Sequence, residues 1–301
     1  MENTLLNHYL AHIGVQNIKT NAAFSSQPAE QILADVETII QAHTCTIPFA
    51  NFLPLIGGTF EIDIQSVRAE LLDDKTGGYC HQHSPLFRTV LQELGLSCRP
   101  VLARVYANPD KPTAGGLTHQ STIVEIGGED FLVDPGFGGG TPTAAVPLRK
   151  AARGEIGEER RNQFGTYRAV PASYALPAEK VADCSIVIQV KSPGAESFRN
   201  LYGFRDNEWE AADLELSNWF TMTRPGGIFT ENLMVALNLP SGGRKTLSNR
   251  KLRIVERGEN PSESKRDIHD AEDFKKTLQE EFGICLEEDA LNKAWEKLSA
   301  S

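Results

Sequence analysis

No stretch of this 301-residue chain approaches about 18 consecutive apolar residues, so no membrane-spanning helix is expected. The first residues, Met1-Glu2-Asn3-Thr4, lack the charged segment and apolar run of a secretory signal. No CxxC spacing occurs. The five cysteines, Cys45, Cys80, Cys98, Cys184 and Cys285, are odd in number and scattered, which speaks against a zinc site or a disulfide framework and fits reduced thiols in the cytoplasm. Positive charge is short: 30 Lys and Arg stand against 40 Asp and Glu, a net charge of -10. That balance argues against nucleic acid or an anionic membrane as the main partner, and a polyanionic small ligand would need a local basic patch. Internal repeats and low-complexity tracts are also missing. What is present is a hydrophobic content of 40%, enough for a folded chain whose length suits two or three subdomains sharing cores.

The chain is organised around Gly77-Gly78-Tyr79-Cys80, which precedes an amphipathic run of Leu86, Phe87, Val90, Leu91 and Leu94 stopped by Gly95. Cys80 thus falls at a helix N-terminus, where unpaired N–H groups and the positive end of the dipole favour a thiolate. The two glycines allow a sharp turn and are expected to leave room beside the sulfur for a substrate carbonyl. A buried cysteine behind a glycine turn fits the same residues.

Upstream, Leu5 to Ile13 and Ile32 to Ile40 carry helical periodicity, with Ile47-Pro48-Phe49 extended between them and the cysteine helix. From Arg99 the period changes to that of strands. Val101 to Tyr106 is followed by a loop through Pro109, Pro112, Gly115 and Gly116, then by a hairpin of Gln120–Ile126 and Glu129–Val133 around Gly127-Gly128. Short β-like runs to Asp206, including Cys184 to Lys191, suggest a barrel or curled sheet, with Arg149 to Arg161 as an exposed loop. Glu208 to Phe220 reads as a connecting helix. Leu233–Leu237 and Leu252–Val255 read as strands around Ser241-Gly242-Gly243, and helices over Asp270–Phe282 and Glu287–Leu298 close the chain.

Counted outward from Gly127-Gly128, the hairpin puts Asp134 opposite Ser121 and makes His119 its diagonal neighbour, about 7 to 8 Å away at the backbone. An aspartate there fixes the imidazole tautomer and stabilises its protonated form, while the other ring nitrogen takes a proton from a thiol. Cys80, His119 and Asp134 then form a nucleophile, base and orienter. An ordinary strand-end pair at a barrel rim is the alternative. His81 and His83 flank Cys80 in sequence and are not expected to fold back onto it, and His8, His12, His43 and His269 read as surface or core polar residues.

Leu6-Asn7-His8-Tyr9, Ile47-Pro48-Phe49, Gly77-Gly78-Tyr79-Cys80, Thr118-His119, Val133-Asp134-Pro135-Gly136-Phe137-Gly138 and Thr223 to Phe229, with the spacing of Cys80, His119 and Asp134, resemble the arylamine N-acetyltransferase family. The resemblance spans nearly the whole chain. It implies an α+β fold with a helical domain (1–96), a β-barrel (97–206), a connecting helical segment (207–224) and an α/β lid (225–301), around a cysteine protease-like core. It further implies ping-pong transfer of an acetyl group from acetyl-CoA, used as a substrate, to an arylamine or arylhydrazine, with no metal and no tightly bound cofactor. By the same resemblance Thr118, Phe137 and Phe229 meet the substrate, and Gly115, Gly116, Phe220 and Gly226 lie along coenzyme A. Core packing fits the phenylalanines as well.

Arg244, Lys245, Arg250 and Lys251 form a basic group that suits either coenzyme phosphates or a solvated turn. The sequence departs from the family pattern at Ala50 and Thr76, where glutamate and arginine are usual, at Ser84-Pro85 in place of an asparagine and its neighbour, and at Gly227 in place of serine. If the family's glutamate and arginine form an ion pair, both halves are missing together here, which avoids an isolated buried charge. A relative using longer acyl donors, a Cys-His-Asp hydrolase and a non-catalytic binding module are the competing readings.

Overall fold

The computed structural model describes residues 4–20, 22–106, 115–178 and 184–300; the expected loop positions Pro109 and Pro112 lie outside them. Near the N-terminus, Leu5–His12 begins at Thr4, whose side chain accepts from Asn7 N, and Ala29–Thr46 buries Ile32, Val36, Ile39 and Ile40. The third long helix, Cys80–Glu93, buries Leu86, Phe87, Val90 and Leu91 and ends before Gly95, whose φ of +87° suits glycine. These faces share one core with Val124, Ile126, Phe131 and Val133 of the hairpin, so the nucleophile helix lies directly on the back of the strands that carry histidine and aspartate. The stretch is not wholly helical. Phe49–Ala50 forms a short strand (β1), and Ala69–Asp73 is a π-helical turn.

Eight strands form an antiparallel sheet: β2 (Cys98–Val105), β3 (His119–Ile126), β4 (Glu129–Val133), β5 (Val146–Pro147), β6 (Arg160–Asn162), β7 (Gly165–Pro171), β8 (Ile186–Lys191) and β9 (Arg199–Phe204). Their order, β5-β4-β3-β2-β9-β8-β7-β6, curls until β5 packs against β7, giving a nearly closed barrel filled by residues such as Val101, Ile123, Leu132, Tyr167 and Ile188. The hairpin has the expected register: Ile126 pairs with Glu129 and Thr122 with Val133, around Gly127 and Gly128 at φ +61° and +78°. The polar run Arg149 to Arg161 differs from the exposed loop expected. It contains a helical turn, Arg149–Ala152, and ends in β6, where Arg160 pairs with Glu37 at 2.7 Å.

The second sheet has the order β1-β10-β11-β12-β13, with β10 (Met234–Asn238), β11 (Arg244–Ser248), β12 (Lys251–Glu256) and β13 (Ser262–Asp267). Two of these strands escaped the sequence. β13 reads Ser-Glu-Ser-Lys-Arg-Asp and is exposed throughout, so no apolar alternation marks it, and its charges protect an open edge. In β11 only Leu247 is buried. Helices Ala271–Phe282 and Glu288–Ser299 cover the sheet, sharing a core with Ala50, Phe52 and Leu55. The connecting helix runs over Ala211–Thr223, three residues later than expected at each end, because Glu210 and Asp213 cap it.

Candidate active site

Cys80 is the first residue of its helix and is buried, with 3% of its surface exposed. The helix start is held by Gln82, whose side-chain oxygen accepts from Tyr79 N at 3.1 Å. Gly77 and Gly78 do not leave room for a substrate, contrary to expectation. A Cβ on Gly77 would lie 2.9 Å from both Ala50 Cβ and Pro48 O, and one on Gly78 would lie 2.6 Å from Gln82 Oε1. They are glycines because the turn is tightly packed. A third glycine performs a similar role beside the nucleophile: at Gly136 a Cβ would stand 3.0 Å from Cys80 Cα and 2.9 Å from His83 Cβ.

His119 opens β3 and Asp134 follows the end of β4, and the structure joins them through a 2.8 Å hydrogen bond from His119 Nε2 to Asp134 Oδ2. Nδ1 is thereby left for the sulfur. Asp134 is fully buried and accepts two further bonds, from Tyr202 Oη at 2.6 Å and from Gly136 N at 3.0 Å. Burial alone pushes the His119 imidazole toward neutrality, but the Asp134 carboxylate, with a smaller part from Cys80, raises its pKa to about 10. Burial likewise opposes a Cys80 thiolate, yet the imidazoles of His81 and His119 outweigh it and bring the thiol down to about 5. The two groups form a thiolate–imidazolium pair.

Two residues here were missed by sequence reasoning. Tyr202 comes from β9, beside β2 in the barrel, and no local signal marks it. His81 was not expected to bear on Cys80, but it is one of the two imidazoles that hold its thiol down. A side chain in the first turn of a helix points back toward the N-terminus, and that direction returns His81 to its neighbour.

The anticipated substrate residues divide into two groups. Phe137 stands edge-on to His119 at 5.0 Å between centroids, Phe229 packs on Tyr79 at 5.5 Å, and the Thr118 carbonyl lies 3.7 Å from Cys80 Sγ. Phe49, Phe60 and Met234 complete an apolar wall around Cys80. Farther out, a Cβ on Gly116 would lie 3.5 Å from Thr118 and 3.6 Å from Phe220, which brings these three positions together. Arg104 donates to Gly115 O at 2.8 Å, and Arg224 stacks over the Phe220 ring. Gly226 sits in the turn after the connecting helix, its N–H donating to Glu231.

The supposed basic group does not form one patch. Lys245 pairs with Glu281 at 2.9 Å, and Arg250 donates to Ile268 O. Only Arg244 lines a cavity of about 100 Å³ with Gly139, Gly140 and Tyr167, where Arg199 also reaches Gly140. At the departures from the family pattern, Ala50 and Thr76 line an apolar cavity of about 150 Å³ together with Glu70 and Gln82. Burial raises the Glu70 carboxyl to about 7, although it accepts from Gln82 Nε2. Ser84 bonds Thr122 across to β3 at 3.0 Å, and a Cβ on Gly227 would meet Arg224 O at 2.9 Å, so serine does not fit there without a shift.

Among the described residues no helix is long and apolar enough to cross a membrane, and no cluster of His, Cys, Asp or Glu could hold a metal ion. A family model described as N-acetyltransferase matches residues 32–291. The chain is 28% identical to an arylamine N-acetyltransferase of Escherichia coli over 285 residues, 94% of this chain and 90% of that one. It is 31% identical to one from Mycobacterium tuberculosis over 271 residues, 88% and 87% of the two chains. The solved structure of the Mycobacterium marinum arylamine N-acetyltransferase in complex with CoA superposes with a TM-score of 0.79 at 29% identity, over 98% of both chains.

Proposed function

The chain belongs to the arylamine N-acetyltransferase family, and from that premise we propose that Cys80 carries an acetyl group from acetyl-CoA to the nitrogen of an arylamine or arylhydrazine. The observation that supports this reading most directly is the buried line of Cys80, His119 and Asp134 at a helix N-terminus, facing an aromatic wall. The Cys80 thiolate attacks the thioester carbonyl, and the C–S bond to coenzyme A breaks as His119 protonates the departing sulfur. Acetyl-Cys80 remains. The amine then attacks that carbonyl, His119 takes the amine proton, and the Cys80 thiolate leaves with the amide formed. Asp134 keeps Nε2 protonated throughout, so Nδ1 alone exchanges protons with the reacting atoms.

Gln82 N and His83 N already donate to Tyr79 O at 2.8 and 3.0 Å, so of the first-turn N–H groups it is those of Cys80 and His81 that suit the developing oxyanion. Phe137 and Phe229 would hold an aromatic acceptor and exclude water, which competes with it for the acetyl group. For the coenzyme, Gly115, Gly116, Phe220 and Gly226 remain the proposed surface, supported by the Gly116–Phe220 contact and by Arg104 and Arg224 as flanking cations.

Mass spectrometry of protein incubated with acetyl-CoA is expected to reveal one acetyl group on Cys80, absent in Cys80→Ser. Propionyl-CoA and longer donors in parallel test for a long-chain specialist, and turnover without amine tests for a hydrolase. No adduct from acetyl-CoA would overturn the reading.

A further inference from the structure

We infer that the cavity between the barrel and the second sheet is an anion site, taking a phosphate monoester or a diphosphate on Arg199, Arg244 and Arg257; its use by a coenzyme rests on the function proposed above. Strand register builds most of it. Arg244 opens β11 opposite Val255 of β12, so Arg253 and Arg257, two residues to either side of Val255, are its diagonal neighbours on one face of the sheet. All three line the cavity. Arg199, at the start of β9, approaches from the barrel: a Cβ on Gly140 would stand 2.5 Å from its Nη2, while one on Gly139 would stand 3.9 Å from Arg244 Nη1. Guanidinium groups from two separate sheets thus flank one pair of glycines.

These cations lack counter-charges. Glu263 is the one carboxylate lining the cavity, and it is taken by Arg253 at 3.1 Å and Lys265 at 2.7 Å. Among the described residues Arg199, Arg244 and Arg257 make no ion pair and no side-chain hydrogen bond. Burial lowers the Arg244 pKa, and the charges of Arg199, Arg253 and Arg257 add to that effect. In a chain of net charge -10, three unpaired arginines turned on one another are unfavourable until an anion comes between them. A multiply charged group matches three guanidinium forks better than a single carboxylate does.

The backbone adds donors. Gly139 and Gly140 occupy the centre of a turn closed by Thr141 N donating to Gly138 O at 3.0 Å, and their own N–H groups donate to nothing among the described residues. The same loop reaches the nucleophile, since Gly136 packs on Cys80 and Gly138 on Phe49 of the aromatic wall. From Gly136 to Gly139 the chain spans at most about 11 Å. An anion held here is a near neighbour of the reacting sulfur, on residues distinct from Gly115, Gly116, Phe220 and Gly226.

Calorimetric titration with inorganic pyrophosphate, which needs no acyl donor, tests the inference. One saturable site is expected in the wild-type protein, weakened about tenfold or more in Arg199→Gln and Arg244→Gln. Lys251→Gln removes the same charge outside the cavity and is expected to bind as wild type does. Should an arginine variant fail to fold, Arg257→Gln, beyond the end of β12, replaces it. No saturable binding, or equal binding by wild type and the folded arginine variants, would overturn the inference. The source of the phosphate is read from acylation: if it belongs to the coenzyme, pyrophosphate competes with acetyl-CoA and KM for acetyl-CoA rises about tenfold in Arg244→Gln, with kcat and iodoacetamide alkylation of Cys80 unchanged. Lost pyrophosphate binding with KM unmoved supports the site and assigns it to a free anion. Failure of wild-type protein to form acetyl-enzyme would remove the acetyl-transfer reading and leave the titration to judge the site by itself.

Discussion

At Asp134, three donors converge on one carboxylate, and each comes from a different part of the barrel: His119 from β3, Tyr202 from β9 and Gly136 from the turn after β4. An amide in place of that carboxylate cannot accept from all three on both oxygens. Asp134→Asn should therefore fold yet slow acylation by about 10³ to 10⁴-fold through loss of tautomer control, measured by single-turnover release of coenzyme A. Normal rates would remove Asp134 from the mechanism. With Cys80 depressed to about 5 and His119 raised to about 10, acylation should be flat between those values. It falls below about 5 as the thiolate gains a proton, and above about 10 as the imidazolium loses the one that coenzyme A needs. Between about 6.5 and 9 the folded pair holds one proton on His119 and the unfolded chain one on Cys80, so the pair adds no slope to stability there. The pairing of His119 with Asp134 was legible in the sequence because a two-residue glycine turn converts numbering into geometry. Tyr202 was not, because strand pairing across the barrel leaves no mark at position 202.

Among the elements, the first, second and nucleophile helices are tied by a directional chain of buried groups. His83 Nε2 donates to Gly78 O at 3.0 Å, which makes its Nδ1 an acceptor for His43 Nε2 at 2.6 Å, and His43 Nδ1 then accepts from Tyr9 Oη at 2.8 Å. Both rings are neutral, burial lowering His83 to about 4 and His43 well below its usual value. An unfolded histidine near 6.5 takes up a proton before the folded one does. Stability is therefore intact above about 6.5 and is lost as pH falls from there toward about 4, by about 3 kcal/mol from His83 alone. Thermal melts across that range should show the decline, and Tyr9→Phe should cost about 1 to 3 kcal/mol at neutral pH by leaving His43 Nδ1 unpaired. A flat Tm from pH 6.5 to 4 would contradict the neutral chain. Apolar periodicity announced these helices, but the polar seam joining them depends on which rotamers meet in the core. β11 and β13 show the opposite limit, for strands with little or no buried face have no period to detect.

In the whole molecule, the wall of the site is assembled from parts far apart in sequence, and Asn51 fastens one to another. Its Nδ2 donates to Phe229 O at 2.8 Å and Asn232 O at 2.7 Å, and its Oδ1 accepts from Met234 N at 2.7 Å. The strand Phe49–Ala50 adds to this by pairing with β10. Asn51→Ala strands three backbone groups and should destabilise the protein by about 3 kcal/mol in thermal denaturation. Because Phe229 loses its anchor, water should also reach acetyl-Cys80 more often, raising the ratio of free acetate to amide product. An unchanged ratio in a destabilised variant would show that Asn51 supports the fold without governing solvent access.

By itself the sequence determined the helices with apolar stripes, the glycine-tipped hairpin, the place of Cys80 at a helix start and the partnership of His119 with Asp134, because each follows from periodicity or turn geometry over a few residues. Tertiary structure decided that Gly77 and Gly78 are filled and not open, that the basic residues disperse, and that Tyr202, His81 and Asn51 belong at or beside the site. These outcomes depend on which surfaces meet across tens to hundreds of residues and on the direction each side chain takes when packed. Short-range pattern carries no record of either.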